Sequence, residues 1–329
     1  MEQRQLGDSD LFSSAIGFGT WEMSTNAYGH IDVREVSQAV NVAIDHGITL
    51  FDTAEVYGPY HSEELLAKAL GSKRKEIVLV TKVGFEYDDY GKNLGRNSQY
   101  DHVIERAEGC LRRLETDYID LLLIHWPDHN TSFEEPMAAL EKLKKDGKIR
   151  YYGISNFTTE MMEECDKYGH LTVNQVGYNL LDRRMEAAVL PYCLDNNVGF
   201  MAYGILGFGI LSGAFTSETI FSEGDWRSSG MAFRLPLFQE AEFAKELRLV
   251  ERLKELAKRY DKSVAQMAIA WTIGHPAVSV GLVGIRNESE LKENVAAMDW
   301  RLDAKIREEI DEIFLEEDVP THVDTDQAV

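Results

Sequence analysis

The chain has 329 residues and a net charge of −22 at pH 7, from 34 basic and 56 acidic side chains. A charge this negative, without a basic cluster, argues against nucleic acid and anionic membrane surfaces as partners. Because 44% of the residues are hydrophobic, the chain can bury a full core. Its length suits either two average domains or a single large β/α barrel.

Cysteine usage and hydropathy bear on the location of the protein. Cys110, Cys165 and Cys193 share no C-x-x-C spacing and cannot all pair, which favours a reducing compartment. The first residues, MEQRQLGD, lack the basic and apolar regions of a secretory signal. No apolar run approaches the roughly 18 residues of a membrane span. We therefore expect a cytoplasmic monomer or homo-oligomer that acts on a small molecule.

Apolar, strand-like segments alternate with segments of helical periodicity along the whole chain. The predicted strands are Ala15–Gly19, Thr49–Asp52, Ile77–Lys82, Ile119–His125, Tyr151–Ser155, Val173–Tyr178, Gly199–Tyr203 and Val278–Val283. The predicted helices are Val33–His46, Glu63–Leu70, Asp101–Leu114, Glu134–Asp146, Thr159–Tyr168, Met185–Asn196, Ser263–Ile273 and Glu288–Ala297. Eight strands alternating with eight helices predict an α/β fold of the (β/α)8 TIM-barrel type.

An open doubly wound sheet is the rival architecture, and it usually carries a G-x-G-x-x-G turn after its first strand. Here the first strand continues as G-F-G-T-W, which lacks the third glycine, so we predict the barrel. Two helices, Ala241–Tyr260 and Asp303–Leu315, fall outside the repeat, and a long loop, Gly204–Glu240, follows the seventh strand. Because no linker interrupts the chain, we predict one domain over residues 1–315, followed by a loosely held acidic tail, residues 316–329.

Polar side chains end several of the predicted strands, where parallel strands of a barrel present their functional groups. Asp52, Lys82 and His125 occupy such ends, and Tyr57 lies five residues beyond Asp52. An ammonium beside a phenol favours the phenolate, so Lys82 is expected to lower the pKa of Tyr57 while Asp52 holds Lys82 in place. His125 can hydrogen-bond a substrate carbonyl. None of the four supplies a hydride, so the set requires a reduced cofactor but no metal.

Each of these residues also has a purely structural interpretation. Asp52 and Lys82 could form an ion pair at the barrel rim, His125 could be a core histidine, and Tyr57 could be an ordinary half-buried tyrosine. Because all of them fall at the carboxyl ends of predicted strands, a functional cluster is the favoured hypothesis.

An ordered series of motifs resembles the aldo-keto reductase family. The segments are G-F-G-T-W (Gly17–Trp21), F-D-T-A-E-V-Y-G (Phe51–Gly58), S-E-E-L-L (Ser62–Leu66), V-T-K (Val80–Lys82), Y-I-D-L-L-L-I-H-W-P (Tyr118–Pro127), G-K-I-R-Y-Y-G-I-S-N-F (Gly147–Phe157) and N-Q-V-G-Y-N-L-L (Asn174–Leu181). The pattern is closest to bacterial members acting on sugars and polyols. The resemblance implies reversible carbonyl reduction by the tetrad Asp52, Tyr57, Lys82 and His125, with Tyr57 as the general acid.

The resemblance also implies a nicotinamide cofactor lying across the top of the barrel. Its carboxamide would contact Ser155, Asn156 and Gln175, its ring would stack on Tyr203, and Thr20, Trp21 and Asp52 would lie beside it. Gly204 and Leu206 follow strand seven in place of the family's serine-proline-leucine turn. Gly284, Arg286, Asn287, Glu290 and Asn294 match the loop and helix that bind the adenosine phosphate. Arg286 favours NADPH, whereas Glu290 leaves NADH as an alternative.

The sequence says less about the substrate than about the reaction. Trp21, Tyr57, Phe85, His125, Trp126 and Trp226 are the predicted substrate contacts, with Arg227 and Arg234 as further polar groups. The aromatic members could equally be packing at the barrel rim. Two other functions stay open, namely a cofactor-binding regulatory subunit resembling potassium-channel β-subunits, and a cofactor-free lyase or isomerase with Lys82 as a Schiff base.

Overall fold

A computed structural model describes residues 1–24, 28, 32–88 and 92–323, and its parallel strands close into the predicted barrel. In chain order the strands are β1 (Gln3–Gln5), β2 (Phe12–Ser14), β3 (Ile16–Gly19), β4 (Leu50–Asp52), β5 (Val78–Val83), β6 (Phe85–Tyr87), β7 (Asn93–Arg96), β8 (Ile119–Ile124), β9 (Ile149–Ser155), β10 (Val173–Gly177), β11 (Gly199–Tyr203) and β12 (Val278–Gly284). The barrel runs β3, β4, β5, β8, β9, β10, β11 and β12, and β12 pairs with β3. This closure excludes the open doubly wound sheet.

Helices cover the outside of the barrel. They are α1 (Val33–Asp45), α2 (His61–Leu70), α3 (Tyr100–Arg113), α4 (Glu134–Lys145), α5 (Thr159–Cys165), α6 (Val189–Asp195), α7 (Glu240–Lys258), α8 (Val264–Ile273), α9 (Glu288–Val295) and α10 (Ala304–Glu316). The two predicted extra helices are present as α7 and α10. Among the residues that the structure describes, no helix has the length and apolarity needed to cross a membrane.

The amino-terminal end of the barrel is plugged by a hairpin that the sequence did not predict. Leu6 and Leu11, beside the turn between β1 and β2, pack with Leu50, Val80 and other inward-facing side chains of the barrel. Gly7 sits in this turn at φ +58°, and a Cβ there would lie 2.4 Å from the carbonyl oxygen of Thr172. With the interior filled from this side, the carboxyl ends of the strands are left to form a cavity.

The predicted acidic tail is partly ordered against the barrel. Helix α10 continues to Glu316, Val319 is buried, and the Thr321 carbonyl accepts a hydrogen bond from the Arg183 N–H at 2.9 Å. Arg252 forms ion pairs with Glu316 and Glu317 at 2.6 and 3.3 Å. In this structure the first residues of the predicted tail thus contact the barrel and α7. Residues 324–329 of that tail lie outside the described residues.

Candidate functional site

A cavity of about 490 Å³ opens at the carboxyl ends of the barrel strands. Most of the predicted site residues line it, namely Trp21, Asp52, Tyr57, Phe85, His125, Trp126, Ser155, Gln175, Tyr203, Gly204, Leu206, Gly284, Arg286, Glu290 and Asn294. Residues that lie far apart in the sequence are thus brought to one surface. Thr20, Lys82, Asn156, Asn287 and Trp226 are not part of the lining, and each instead contacts residues that are.

Lys82 links two of the predicted catalytic residues from below the cavity. It lies in β5 with no exposed surface, and its Nζ donates to Asp52 Oδ1 at 2.7 Å and to the Thr53 carbonyl at 2.9 Å. The third contact of Nζ is the Tyr57 hydroxyl, at 3.3 Å. Because all three ammonium hydrogens have partners, Lys82 is held in one position, and it acts on the cavity through two lining residues, Asp52 and Tyr57.

Asp52, the last residue of β4, is fixed at both carboxylate oxygens. Oδ2 accepts a hydrogen bond from Gln175 Nε2 at 2.8 Å, and the Asp52 carbonyl accepts one from the Thr20 hydroxyl at 2.9 Å. Burial raises the pKa of the Asp52 carboxyl, and the adjacent Lys82 ammonium opposes this shift. Gln175 and Thr20, predicted to contact a cofactor, therefore also hold Asp52 in place.

The pKa of Tyr57 is shifted in the direction opposite to the sequence-based expectation. Burial, and then the negative charge of Asp52, raise the pKa of the phenol well above its ordinary value. The Lys82 ammonium at 3.3 Å does not outweigh them, because the phenol is enclosed by apolar and aromatic groups. The prediction that Tyr57 would be more acidic than usual is wrong in this structure. Its hydroxyl keeps its proton throughout the neutral pH range.

His125 follows β8 and meets Tyr57 edge-on, with ring centroids 5.9 Å apart. Burial lowers its pKa well below the ordinary value, and the positive charges of Lys82 and Arg96 add to this shift. The imidazole is therefore neutral near pH 7. Its Nδ1 is buried and has no hydrogen-bond partner among the described residues.

Asn156 connects the ends of three barrel strands instead of lining the cavity. Its Nδ2 donates to the His125 carbonyl and to Ser155 Oγ, both at 3.1 Å, while Oδ1 accepts from the Tyr203 hydroxyl at 2.8 Å. The Ser155 hydroxyl donates to the Gln175 carbonyl at 2.8 Å. Asn156 adopts φ +66°, in the left-handed region that asparagine tolerates better than most residues. These bonds fix the side chains predicted to hold a carboxamide.

The loop that supports Tyr57 is tied to the next strand end by a buried carboxylate. Glu55 Oε1 accepts hydrogen bonds from the N–H groups of Gly84 and Phe85 at 3.2 and 3.3 Å. Its Oε2 pairs with Arg106 Nε at 2.7 Å. Since Phe85 meets the His125 ring at 5.5 Å, Glu55 positions one wall of the cavity.

Aromatic rings form the mouth of the cavity. Trp21 stacks between Tyr57 and Trp226, with centroid distances of 6.1 and 5.6 Å, so Trp226 supports Trp21 without reaching the lining. Phe233 lies parallel to Trp126 at 6.2 Å and contacts Tyr203 at 5.3 Å. Phe233 comes from the long loop after β11 and was not among the predicted site residues.

The predicted phosphate-binding residues are paired with one another. Arg286 Nη2 and Glu290 Oε1 are 2.6 Å apart, and Glu290 Oε2 accepts a hydrogen bond from the Arg286 backbone N–H at 2.9 Å. Asn287 caps α9 by accepting from the Glu290 N–H at 3.0 Å, which explains its absence from the lining. Asn294 is almost fully buried and lines the cavity. The carboxylate of Glu290 therefore competes with any phosphate for Arg286.

Several lining residues were missing from the predicted set, namely Glu22, Tyr28, Val56, Phe208 and Phe233. Glu22 directly follows Trp21, a predicted site residue, so its position in the sequence could have identified it. Arg227 was expected to add a polar contact, but it is held by Asp225 at 2.6 Å. No local pattern marks Phe208 or Phe233, because their positions depend on the path of the loop.

Comparisons with known proteins agree with this arrangement. The model of the Aldo/keto reductase family matches residues 15–314. Aldo-keto reductase YhdN from Bacillus subtilis (strain 168) is 36% identical over 317 residues, covering 95% of this chain and 94% of the relative. The NADH-specific methylglyoxal reductase of Escherichia coli (strain K12) is 30% identical over 316 residues, with 92% and 95% covered.

A solved structure extends the similarity to three dimensions. The glycerol dehydrogenase AKR11B4 from Gluconobacter oxydans matches with a TM-score of 0.87 and 32% identity, covering 96% of this chain and 95% of the other. Residues 15–314, which the family model matches, include every barrel strand and all the lining residues of the cavity. The chain therefore belongs to the aldo/keto reductase family, oxidoreductases that reduce carbonyl groups with nicotinamide cofactors.

Proposed function

We propose that this chain reduces an aldehyde or ketone to the alcohol, reversibly, with Tyr57 as the general acid and NADPH as the preferred reductant. The observation behind the proposal is the hydrogen-bonded line from Asp52 through Lys82 to Tyr57, which ends at the cavity beside His125. In this arrangement the proton transfer takes place at the Tyr57 Oη, while Asp52 and Lys82 keep their charges.

Each member of the tetrad has a separate task. Tyr57 donates its proton to the carbonyl oxygen, and the Lys82 ammonium stabilises the phenolate that remains. His125 is neutral and can donate one ring N–H to the same oxygen, which orients the carbonyl without adding a charge. Asp52 acts through Lys82, as a positioning residue. A reduced nicotinamide, when bound, supplies the hydride.

The residues of the cavity fit a nicotinamide cofactor best at the end near Tyr57. Ser155 and Gln175 offer amide-binding groups there, and Tyr203 offers an aromatic face. Gly204 adopts φ +64°, and a Cβ at this position would lie 2.7 Å from the Phe208 ring, so glycine is required where the backbone borders the cavity.

The choice between NADPH and NADH depends on the other end of the cavity, near Arg286. Arg286 is a suitable partner for a 2′-phosphate, whereas its ion pair with Glu290 reduces that advantage. We propose a modest preference for NADPH. NADH is the alternative, and the NADH-specific relative from Escherichia coli makes it the one to test first.

For the substrate we propose a small or sugar-like carbonyl compound. The aromatic mouth suits the apolar faces of a sugar or polyol, and the names of two relatives refer to methylglyoxal and glycerol. We also propose a cytoplasmic location, because the three cysteines are buried and unpaired. Cell fractionation would test that location.

The test is a screen of NADPH and NADH oxidation against aldehydes, keto-sugars and quinones. Oxidation that depends on the carbonyl compound supports the proposal. Cofactor binding without turnover of any compound would favour the regulatory-subunit alternative. Borohydride trapping of a substrate on Lys82 would favour the Schiff-base lyase or isomerase, and absence of cofactor binding would refute the reductase assignment.

A further inference from the structure

Glu22 places a carboxylate inside the cavity that the proposed mechanism does not use. It lies in the 3-10 turn Trp21–Met23, directly after β3, and lines the cavity together with Gly284. A Cβ built on Gly284 would lie 1.7 Å from Glu22 Oε1, so the carboxylate rests against the backbone at the end of β12. Any residue larger than glycine at position 284 would displace Glu22.

This carboxylate lacks the counter-charge that three other acidic residues near the cavity have. Asp52 is paired with Lys82 at 2.7 Å, Glu290 with Arg286 at 2.6 Å, and Asp225 with Arg227 at 2.6 Å. Within the described part of the chain, Glu22 has neither an ion pair nor a side-chain hydrogen bond to another residue. The two nearby arginines, Arg227 and Arg286, already have carboxylate partners.

Glu22 also lies between the two ends of the proposed cofactor site. Glu22 is close enough to Tyr57 for its charge to raise the pKa of that phenol, and close enough to Arg286 for the guanidinium to lower the pKa of Glu22. Gly284, against which Glu22 rests, is two residues before Arg286. A dinucleotide that spans these ends must bring its phosphates past Glu22. This step rests on the proposed function, because it assumes that a dinucleotide occupies the cavity.

We propose that Glu22 is a specificity-determining residue of the cofactor site, which must hold a proton before the phosphates of a dinucleotide can bind beside Gly284. A charged carboxylate facing a phosphate in a partly buried site is strongly repelled. A protonated carboxyl group can instead donate a hydrogen bond to a phosphate oxygen. Glu22 therefore couples cofactor affinity to pH.

The groups around Glu22 support a proton affinity in the relevant range. Burial raises the pKa of Glu22 to about 7; a hydrogen bond from its own backbone N–H and the charges of Arg286 and Arg227 oppose the shift, and Glu290 adds to it. The hydroxyls of Tyr28 and Tyr57 also face this carboxylate and stay neutral, because burial raises the pKa of both well above the ordinary value. Bound phosphates raise the pKa of Glu22 further. Binding then takes up a proton above pH 7 and none well below it.

The first test measures cofactor affinity by quenching of protein fluorescence at pH 6 and pH 8. NAD⁺ is the main probe because it has no 2′-phosphate that titrates in this range, and NADP⁺ is the second. With a free pKa near 7, the wild-type Kd should rise about tenfold from pH 6 to pH 8. Glu22→Gln should remove this dependence and bind at pH 8 about as tightly as the wild type does at pH 6.

Glu288→Gln is the matched control, because it removes one negative charge from an exposed residue of α9 outside the cavity lining. It should keep the wild-type pH dependence. Glu22→Ala provides a second variant in case the amide disturbs the packing against Gly284, and it should also remove the dependence.

Calorimetry provides a second measurement that does not depend on activity. Titrations at pH 8 in buffers of different ionisation enthalpy should show close to one proton taken up per cofactor by the wild type and none by Glu22→Gln. A wild-type Kd independent of pH, or the same dependence in Glu22→Gln, would overturn this inference and leave the proposed function intact. Absence of cofactor binding at both pH values would refute the proposed function and this inference with it.

Discussion

The floor beneath Tyr57 and the mouth above it are built by different means. In the floor, Lys82 and Asp52 lie at the ends of adjacent barrel strands, and Lys82 Nζ donates to Asp52 Oδ1 at 2.7 Å and to the Tyr57 hydroxyl at 3.3 Å. In the mouth, Phe233 from the long loop stacks on Trp126 and meets Trp21 edge-on. The long loop also holds Phe208 and Phe233 at positive φ. The floor is suited to chemistry that needs fixed atoms, and the mouth to recognition. Variants of the floor should therefore lower kcat, whereas variants of the mouth should raise KM.

Removal of the Tyr57 hydroxyl should give the largest effect. Tyr57→Phe retains the ring between Trp21 and His125 but abolishes proton donation, so kcat should fall by about 10²–10⁴. Cofactor affinity, measured by fluorescence titration, should change little. A variant that reduces the substrate within a few-fold of the wild-type rate would exclude Tyr57 as the acid.

The next largest effect should follow from Lys82→Met, which leaves Asp52 buried without its ammonium partner. Breaking a buried pair costs about 3–5 kcal/mol of folding stability, and turnover should fall as well because the phenolate of Tyr57 loses its stabilising charge. Burial raises the pKa of Asp52, so the carboxyl can protonate in the folded variant. The stability loss, measured by urea unfolding, should therefore be smaller at pH 5 than at pH 7.

A double variant separates stability from catalysis in this pair. Asp52→Asn combined with Lys82→Met removes both charges, so much of the stability should return while turnover stays low. Recovery of turnover in the double variant would contradict a direct effect of Lys82 on Tyr57.

A variant of the mouth should affect substrate binding more than the chemical step. Phe233→Ala removes the ring that stacks on Trp126, and aromatic pairs contribute about 0.5–1.5 kcal/mol beyond their buried area. We expect KM to rise roughly 3–10-fold, with kcat changed by less. Phe133→Ala is the control, because Phe133 packs against Phe157 at 5.4 Å and neither residue lines the cavity. A fall in kcat at constant KM would show that the mouth takes part in the chemistry.

The smallest effect should come from the exposed pair at the phosphate end. Because Glu290 already holds Arg286, Arg286→Ala should weaken NADPH binding by less than about tenfold and leave NADH binding nearly unchanged. Glu290→Gln should release Arg286 and tighten NADPH binding by a few-fold. Fluorescence titration measures the affinity of each variant for both cofactors. Equal weakening of both cofactors by Arg286→Ala would show that Arg286 does not contact the 2′-phosphate.

The sequence alone determined the barrel and the polar set at its rim. Alternation of apolar strands with amphipathic helices specifies a closed parallel sheet, and parallel strands bring their carboxyl ends to one side. Asp52, Lys82 and His125 could therefore be expected together without knowledge of any contact. The resemblance in motifs added Ser155, Gln175 and the phosphate loop, and most of these residues line the cavity.

Only the tertiary structure decided how these groups affect one another. The direction of the pKa shift of Tyr57 is the balance between burial and two nearby charges, and burial depends on rings supplied by distant loops. The pairing of Arg286 with Glu290 and the contact of Glu22 with Gly284 depend on side-chain positions that no spacing specifies. Phe233 reaches the mouth through a loop without periodicity. Strand periodicity is a local property of the chain, whereas desolvation and long-range side-chain contacts exist only once the chain has closed on itself.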